Sequence, residues 1–362
     1  MDRLAVLDES NSGPATGRDA KTPLEMPARG WRQVTLRALR RSFADNIGLV
    51  AAGTAFYGFV AIVPTMISCV LIYSIVADPS HIVRSMRSLE LLMPAEATRA
   101  IVKQMLRVVH ASSNAKGAGI FVAIAIALFG ARNAATALIA ALNVAYGEKE
   151  TRGFKRLSAV ALAISISGIV LSLTIIVAIG WIADFGAALP GRSGPAGLAA
   201  RFASYAVALA LAAFGAAALY RYAPCRTKAK WSWIAPGSVF AAVAWAILTA
   251  AFSLYVERFG TFSVNYGPSA AGVVLLVWLY LSSIIFLFGA EVNAELEQQT
   301  ERDTTEGAER PAGARGAAAA DKVASSSEVE EGAFKSRTAR RSRDRPNIRS
   351  GRGQEPPLAG QP

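Results

Sequence analysis

The sequence predicts an all-α integral membrane protein: a bundle of six transmembrane helices, with interfacial amphipathic helices and a disordered C-terminal tail. Three observations predict it. Hydrophobic residues make up 53% of the chain and charged residues 18%, against about a quarter charged in an ordinary soluble domain. The charges are segregated, crowding the N-terminus, a few loops and the last sixty or so residues. Between them lie uncharged windows, each long enough for one membrane helix and too short for two with a polar turn.

The windows are read directly. Asp45 and Asp78 enclose 32 uncharged residues, Arg156 and Asp184 enclose 27, Arg201 and Arg221 enclose 19, Lys230 and Glu257 enclose 26, and Arg258 and Glu291 enclose 32. A helix rises about 1.5 Å per residue and the hydrocarbon core is about 30 Å thick, so roughly 20 apolar residues span it. A further segment, "GIFVAIAIALFGARNAATALIAALNVAYGE" (119–148), is apolar apart from Arg132. The predicted spans are 50–76, 119–143, 158–183, 202–220, 234–256 and 270–290. Together they form a domain over 29–298, between a disordered N-terminus (1–28) and a disordered basic tail (299–362).

In chain order, residues 1–45 are largely polar and do not have the form of a cleaved signal peptide. "RGWRQVTLRALRR" sets Trp31, Val34 and Leu39 among five arginines, the pattern of an interfacial helix drawn to anionic lipid. The first span contains Pro64, which removes a backbone hydrogen bond and is expected to kink the helix. Gly53 and Gly58 there permit close helix approach. In the long connection that follows, Arg99, Lys103 and Arg107 repeat every four residues after Pro94, away from Ile101, Met105, Val108 and Val109. That is a second amphipathic helix. Before the sixth span, Tyr266, Gly267 and Pro268 read as a turn or re-entrant element.

Lys and Arg set the orientation. Lys149, Arg152, Lys155 and Arg156 follow the second span, and Arg221, Arg226, Lys228 and Lys230 follow the fourth. The other short loops carry only Arg192, Arg201 and Arg258. Both termini are therefore expected in the cytoplasm. The tail beyond 301 is rich in Ala, Gly, Ser, Glu and Arg, with few large apolar residues, a composition of disorder. Its basic end is suited to weak attraction to anionic lipid.

Candidate function centres on Arg132. A mid-span arginine costs about 2.5–3.5 kcal/mol on insertion scales, so it is expected to face a wet cavity, a carboxylate or backbone carbonyls. At about 100° per residue, Thr136 and Asn143 share its face. Fifteen uncharged residues flank it on each side, roughly 22 Å of helix, which puts either interface beyond the reach of one side chain. The sixth span ends "FLFGAEVNAELE", where Asn293, Gly289 and Ser282 share a face and Glu291 follows the last apolar turn. Ser282, Glu291 and Asn293 join Arg132, Thr136 and Asn143 as candidate contacts for an anionic substrate or lipid headgroup. A structural role for Arg132, or an interfacial one for Glu291, accounts for the same pattern.

The two cysteines, Cys69 in a span and Cys225 in a basic loop, suggest no disulfide or metal framework. His81 and His110 do not make a metal site. No phosphate-cradling glycine loop and no G-x-S-x-G elbow occurs. The chain is read as a non-enzyme with no cofactor, no metal and no specific nucleic-acid partner. Membrane lipids are its expected partners, and an oligomer is compatible with the pattern.

Five stretches carry a resemblance: "AAGTAFYGFVAIVP", "GARNAATALIAALNVAYG", "LYRYAPCRTKAKWSWIAPGSVFAAVAW", "FSLYVERFGTFSVNYG" and "LLVWLYLSSIIFLFGAEVNAELE". Over residues 30–298 the chain resembles the YihY/BrkB family of bacterial inner-membrane proteins, sometimes carried under an old ribonuclease BN label. The first stretch departs from that family's usual form: Phe56 and Ala61 stand near positions where a second tyrosine and a serine before the proline are frequent. The resemblance implies six helices with both termini inside, in agreement with the loop charges. It supplies no settled activity, and no residue cluster suited to nuclease chemistry is recognisable. The expected function is a transporter or flippase-like carrier of an anionic amphiphile or small anion. The alternative is an envelope scaffold that recruits partners.

Overall fold

A computed structural model describes residues 16–76, 118–188, 195–258 and 270–324. Every element named here belongs to one unit, Ser12–Val323. The chain runs through α1 (Ala28–Ala44), α2 (Ile47–Val76), α3 (Ala118–Tyr146), α4 (Phe154–Ala188), α5 (Pro195–Tyr222), α6 (Trp231–Arg258) and α7 (Ala270–Gln299), then a short α8 (Ala318–Asp321). Five helices contain stretches long and apolar enough to cross a membrane: Ala125–Tyr146, Phe154–Ile175, Gly197–Tyr222, Trp231–Val256 and Gly272–Gln299. Helix α2 adds a sixth when joined to α1 across a 68° bend. Asn46 forms that corner at φ 51°, a left-handed conformation that asparagine tolerates better than most residues.

The six long helices close a ring. Each of α2 to α7 packs on its neighbour in the chain, and α7 packs back on α2. Helix α7 also touches α3, α1 and α8, which makes it the most connected element at one end of the ring. Helix ends there are tightly specified. Tyr146 ends α3, and Gly147 follows at φ +67°. The Gly147 N–H donates to the Val144 carbonyl (3.0 Å) and the Glu148 N–H to the Asn143 carbonyl (2.7 Å). This paired closure satisfies orphan carbonyls and needs a left-handed residue that glycine adopts freely.

Helix α6 carries Pro236 in its interior. A helical proline pushes away the carbonyl one turn back and loosens the bonds around it. The next residue's N–H, of Gly237, donates instead to Asn293 Oδ1 of α7 at 2.8 Å. Gly237 and Gly289 meet at this crossing: a Cβ on Gly237 would collide with the Gly289 carbonyl and the Asn293 side chain. Tyr220 of α5 donates its hydroxyl to the Phe286 carbonyl at 2.7 Å, beside Gly289.

Two expectations are corrected. Disorder was expected on both sides of 29–298, yet the described parts, 16–28 and 299–324, are folded. Neither has enough apolar residues for a core of its own, and both use that of the bundle. Ala20 and Met26 pack with Val34, Trp233 and Leu296. Thr300 donates to the carbonyls of Arg18 and Ala20. The later residues form a polar clasp: Asp321 accepts from the N–H groups of Gly313, Arg315, Gly316 and Ala317. The Arg315 guanidinium donates to the carbonyls of Glu301, Arg302, Arg310 and Ala320. Composition-based disorder takes account of missing apolar burial, not of such polar partners.

Helix α1 is amphipathic as expected, but its apolar stripe divides. Val34 and Ala38 are buried against the bundle, while Leu36, Leu39 and Phe43 are exposed. Helix α2 continues through Pro64 without interruption. The amphipathic segment expected after Pro94, the Tyr266–Gly267–Pro268 turn, both histidines and the basic end of the tail lie outside the described residues.

Candidate functional site: a ring cavity above a layer of buried ion pairs

The ring helices line an open cavity of about 2260 Å³, to which all six of α2 to α7 contribute. Ligand pockets are usually about 300–1,000 Å³, so this one holds a larger guest. Its wall is built mainly from small and aliphatic residues such as Ala131, Ala135, Leu138, Ala208 and Ala212, with scattered serines. Several serines on the ring return their hydroxyl to a carbonyl one turn back, as Ser165, Ser172 and Ser283 do. Ser282 differs. The residue lines the cavity, but its hydroxyl is buried within the protein and has no hydrogen-bond partner among the described residues.

At the polar end, five cations line the mouth: Arg152, Arg156, Arg221, Arg226 and Lys228. Three are matched by carboxylates. Arg152 grips Glu150 through two nitrogens, each at 2.7 Å. Arg221 meets Glu306 at 2.7 Å and also donates to the Ala229 carbonyl. Arg226 bonds Glu297 in a fork, with Nη1 2.9 Å from Oε1, and lies 4.9 Å over the Tyr146 ring. Arg156 and Lys228 have no carboxylate partner among the described residues. Lys228 rests 5.1 Å over the Tyr222 ring.

The local electrostatics follow from these contacts. Hydrogen bonds from Arg152 hold the Glu150 carboxyl down at about 2, against the opposing effect of burial. Burial raises the pKa of Glu148, although the Ala318 N–H donates to it at 2.7 Å. Burial works against the Arg226 charge, but Glu297 outweighs it and lifts the guanidinium above its usual value. Asp303 is also partly desolvated, yet the hydroxyl and N–H of Thr305, with the Arg310 N–H and the Arg315 charge, hold it below the ordinary range.

Beneath the cavity, the end of α7 is a buried charged layer. Glu295 takes Arg37 at 2.6 Å and Arg41 at 3.2 Å. Glu291, fully buried, faces Arg41 at 3.3 Å. Glu297 receives the Thr304 hydroxyl in addition to Arg226. The arginines come from α1 and from the loop before α6, so elements outside the ring neutralise a carboxylate-rich helix end.

The candidate residues separate in space. Arg132 does not reach Glu291. Its Nε donates to Ser158 at 3.0 Å, its Nη1 donates to Asn133 Oδ1 at 3.0 Å, and its guanidinium lies 4.6 Å over the Phe154 ring. Phe154 is the first residue of α4, so the Arg132 head extends toward the basic loop before that helix. The count of uncharged residues had placed the interface beyond its reach. The count misleads because the last turns of α3 are covered by protein: Ile139, Ala141, Leu142, Ala145 and Tyr146 are all buried. Thr136 donates back to the Arg132 carbonyl. Asn143 is a loop clamp, donating to Glu150 and accepting from the Cys225 N–H. Asn293 holds Gly237, and Glu291 belongs to the α1–α7 layer. Of the six candidate contacts, Ser282 lines the cavity and the other five do not.

Sequence reasoning missed Tyr146, Arg226, Glu297 and the Gly237–Gly289 crossing. A signal for the crossing was present in the Pro236–Gly237 pair, which exposes an N–H, and in a glycine one turn before Asn293. The Arg226–Glu297 pairing, 71 residues apart, had no local signal. Among the described residues, no three of His, Cys, Asp and Glu gather so as to hold a metal ion.

A ring of long apolar helices around a large cavity, with a layer of buried ion pairs at the end of α7, defines a polytopic all-helical membrane protein. The chain belongs to the virulence factor BrkB family, whose model matches residues 38–314, a range that takes in much of the folded segment after α7. It is 32% identical over 203 residues to the putative ribonuclease-like protein YfkH of Bacillus subtilis, covering 53% of this chain and 71% of that protein. It is 29% identical over 272 residues to a UPF0761 membrane protein of Delftia acidovorans, covering 74% of this chain and 62% of that protein. A UPF0761 membrane protein of Verminephrobacter eiseniae is 40% identical over 84 residues, covering 23% of this chain and 20% of the other. No solved structure matches the chain.

Proposed function

We propose that this protein is a carrier, not an enzyme, that takes an anionic amphiphile into the ring cavity and moves it across the bacterial inner membrane. The observation that carries the reading is the cavity itself: a large, mainly apolar space touching all six ring helices, with unmatched positive charge at one mouth. Apolar walls accept acyl chains, and cations at a mouth favour an anionic head. The basic loops support placing that mouth, and both termini, in the cytoplasm. Membrane lipids are the partners this reading requires, and specific nucleic acid is not among them. Arg132 leaves the substrate-contacting role it was expected to have, since its guanidinium is engaged outside the cavity wall.

The test is flux. Purified protein in liposomes is given a head-labelled phosphatidylglycerol, and the label reaching the opposite leaflet is followed by chemical quenching. The wild-type chain is expected to exceed empty liposomes. Ser282→Trp, which narrows the cavity from its wall, is expected to reduce that excess while eluting as a folded protein. Equal flux from the wild-type chain and empty liposomes sinks the carrier reading in favour of the scaffold.

A further inference from the structure

We propose that the polar mouth of the ring cavity is a phosphate site for a glycerophospholipid headgroup, built on Arg156 and Lys228. This rests on the carrier reading and names the chemistry of its substrate.

Charge matching selects the two residues. Of the five cations at the mouth, Arg152, Arg221 and Arg226 are held by Glu150, Glu306 and Glu297. Removing one of those arginines would strand a carboxylate, so they build the mouth. Arg156 and Lys228 are exposed, line the same cavity and lack a carboxylate partner among the described residues. Each leaves an uncompensated positive charge on the polar part of the cavity lining. A phosphate matches that pair. A guanidinium binds its oxygens bidentately, and an ammonium serves as a point charge.

The surroundings place the pair at headgroup depth. Lys228 sits over Tyr222, whose ring is 6.4 Å from Trp231, and Trp231 stacks with Phe214 at 5.9 Å. Tyr222, Trp231 and Phe214 are 46%, 42% and 59% exposed. Such amphipathic aromatics collect where hydrocarbon gives way to headgroups, and the cation–π contact steadies the Lys228 stem. The apolar wall beyond the mouth takes the acyl chains of a glycerophospholipid. A free phosphate would satisfy the mouth and leave the apolar wall unused.

The full chain in phosphatidylcholine nanodiscs tests this by competition with fluorescent lipids of identical acyl chains. Wild type is expected to prefer phosphatidylglycerol to phosphatidylcholine, and Ser282→Trp to reduce binding of both. The double variant Arg156→Gln/Lys228→Gln is expected to lose about thirtyfold in phosphatidylglycerol affinity, roughly fivefold per cation. Its phosphatidylcholine affinity is expected to fall as well, because that lipid carries the same phosphodiester, while its melting temperature stays as in wild type. Arg156→Lys/Lys228→Arg is expected to keep the preference. An unchanged phosphatidylglycerol affinity in the double glutamine variant overturns the site while leaving the carrier reading intact. Wild-type lipid binding that Ser282→Trp does not touch overturns the carrier reading itself. Displacement of the lipid by inorganic phosphate or glycerophosphate at equal concentration overturns the lipid as the source of the anion.

Discussion

The two halves of α7 live in opposite surroundings. Its first half is aliphatic, and Val273, Leu276 and Val277 are exposed on the outside of the ring. Its last turns carry Glu291, Glu295 and Glu297, and every residue from Gly289 to Thr300 is buried. The apolar half turns partly outward and the charged half wholly inward, the reverse of a soluble helix. Burying a carboxylate is unfavourable unless a cation and donors meet it. Here α1 supplies Arg37 and Arg41, and the loop before α6 supplies Arg226. Charge at the end of a membrane helix therefore need not mark water. It can mark a protein layer that closes the bundle.

The largest effect is expected from breaking the charged half. Arg226 and Glu297 have side chains 1% and 0% exposed, so Arg226→Ala or Glu297→Ala leaves a buried charge alone and is expected to cost about 3–5 kcal/mol. Thermal unfolding in detergent reads it. An Arg226→Met/Glu297→Leu double variant is expected to recover most of the loss, and a double variant as unstable as the singles would show that the layer does not work by pairing. The converse change on the other half, Val277→Asp, puts an unpaired charge on the exposed face at about 2.5–3.5 kcal/mol. Its readout is the yield of folded, membrane-inserted protein. Normal yield would mean that this face is covered.

The seam between the halves is the Gly237–Gly289 crossing. Gly237→Ala is expected to lose about 1–3 kcal/mol by forcing α6 and α7 apart and disturbing the Asn293 bond. Gly168→Ala, where a Cβ meets nothing within 4 Å, is its control, expected to melt near wild type. A smaller loss, about 1 kcal/mol, is expected for Arg132→Ala through its Phe154 and Ser158 contacts, with lipid binding in the cavity unchanged. A loss of binding there at unchanged stability would return Arg132 to the site.

The smallest effect concerns pH. The Glu150 pKa is lowered from 4.5 to about 2 in the folded protein. A group whose folded value is depressed contributes stability above its unfolded value and loses it as pH falls through the folded one. Protection of the Cys225 N–H, which Asn143 ties to Glu150, is thus expected to be full above pH about 4.5 and to fade as pH drops toward about 2. Hydrogen exchange at that amide measures it, and fading at neutral pH would contradict the pairing.

The sequence by itself determined the helices, because membrane burial is written locally. An uncharged window of about twenty residues has one stable outcome in lipid, so the expected all-helical membrane bundle is the architecture observed. It also located the polar ends, since lysines and arginines gather there. Only the tertiary structure decided what the polar groups meet. Arg132 shares a helical face with Thr136 and Asn143, yet the three serve a neighbouring helix, their own helix and a loop, because a face on a helical wheel carries no information about depth or neighbours. Ser282 stands out in the sequence only by sharing a face with Gly289 and Asn293, and that its buried hydroxyl has no partner among the described residues is visible only in the structure. The pairing of Glu297 with Arg226 and the folding of residues 299–324 onto the bundle depend on partners far away in the chain. Such polar matching is a property of the assembled ring, since each buried charge is tolerable only after its counter-charge has been brought to it.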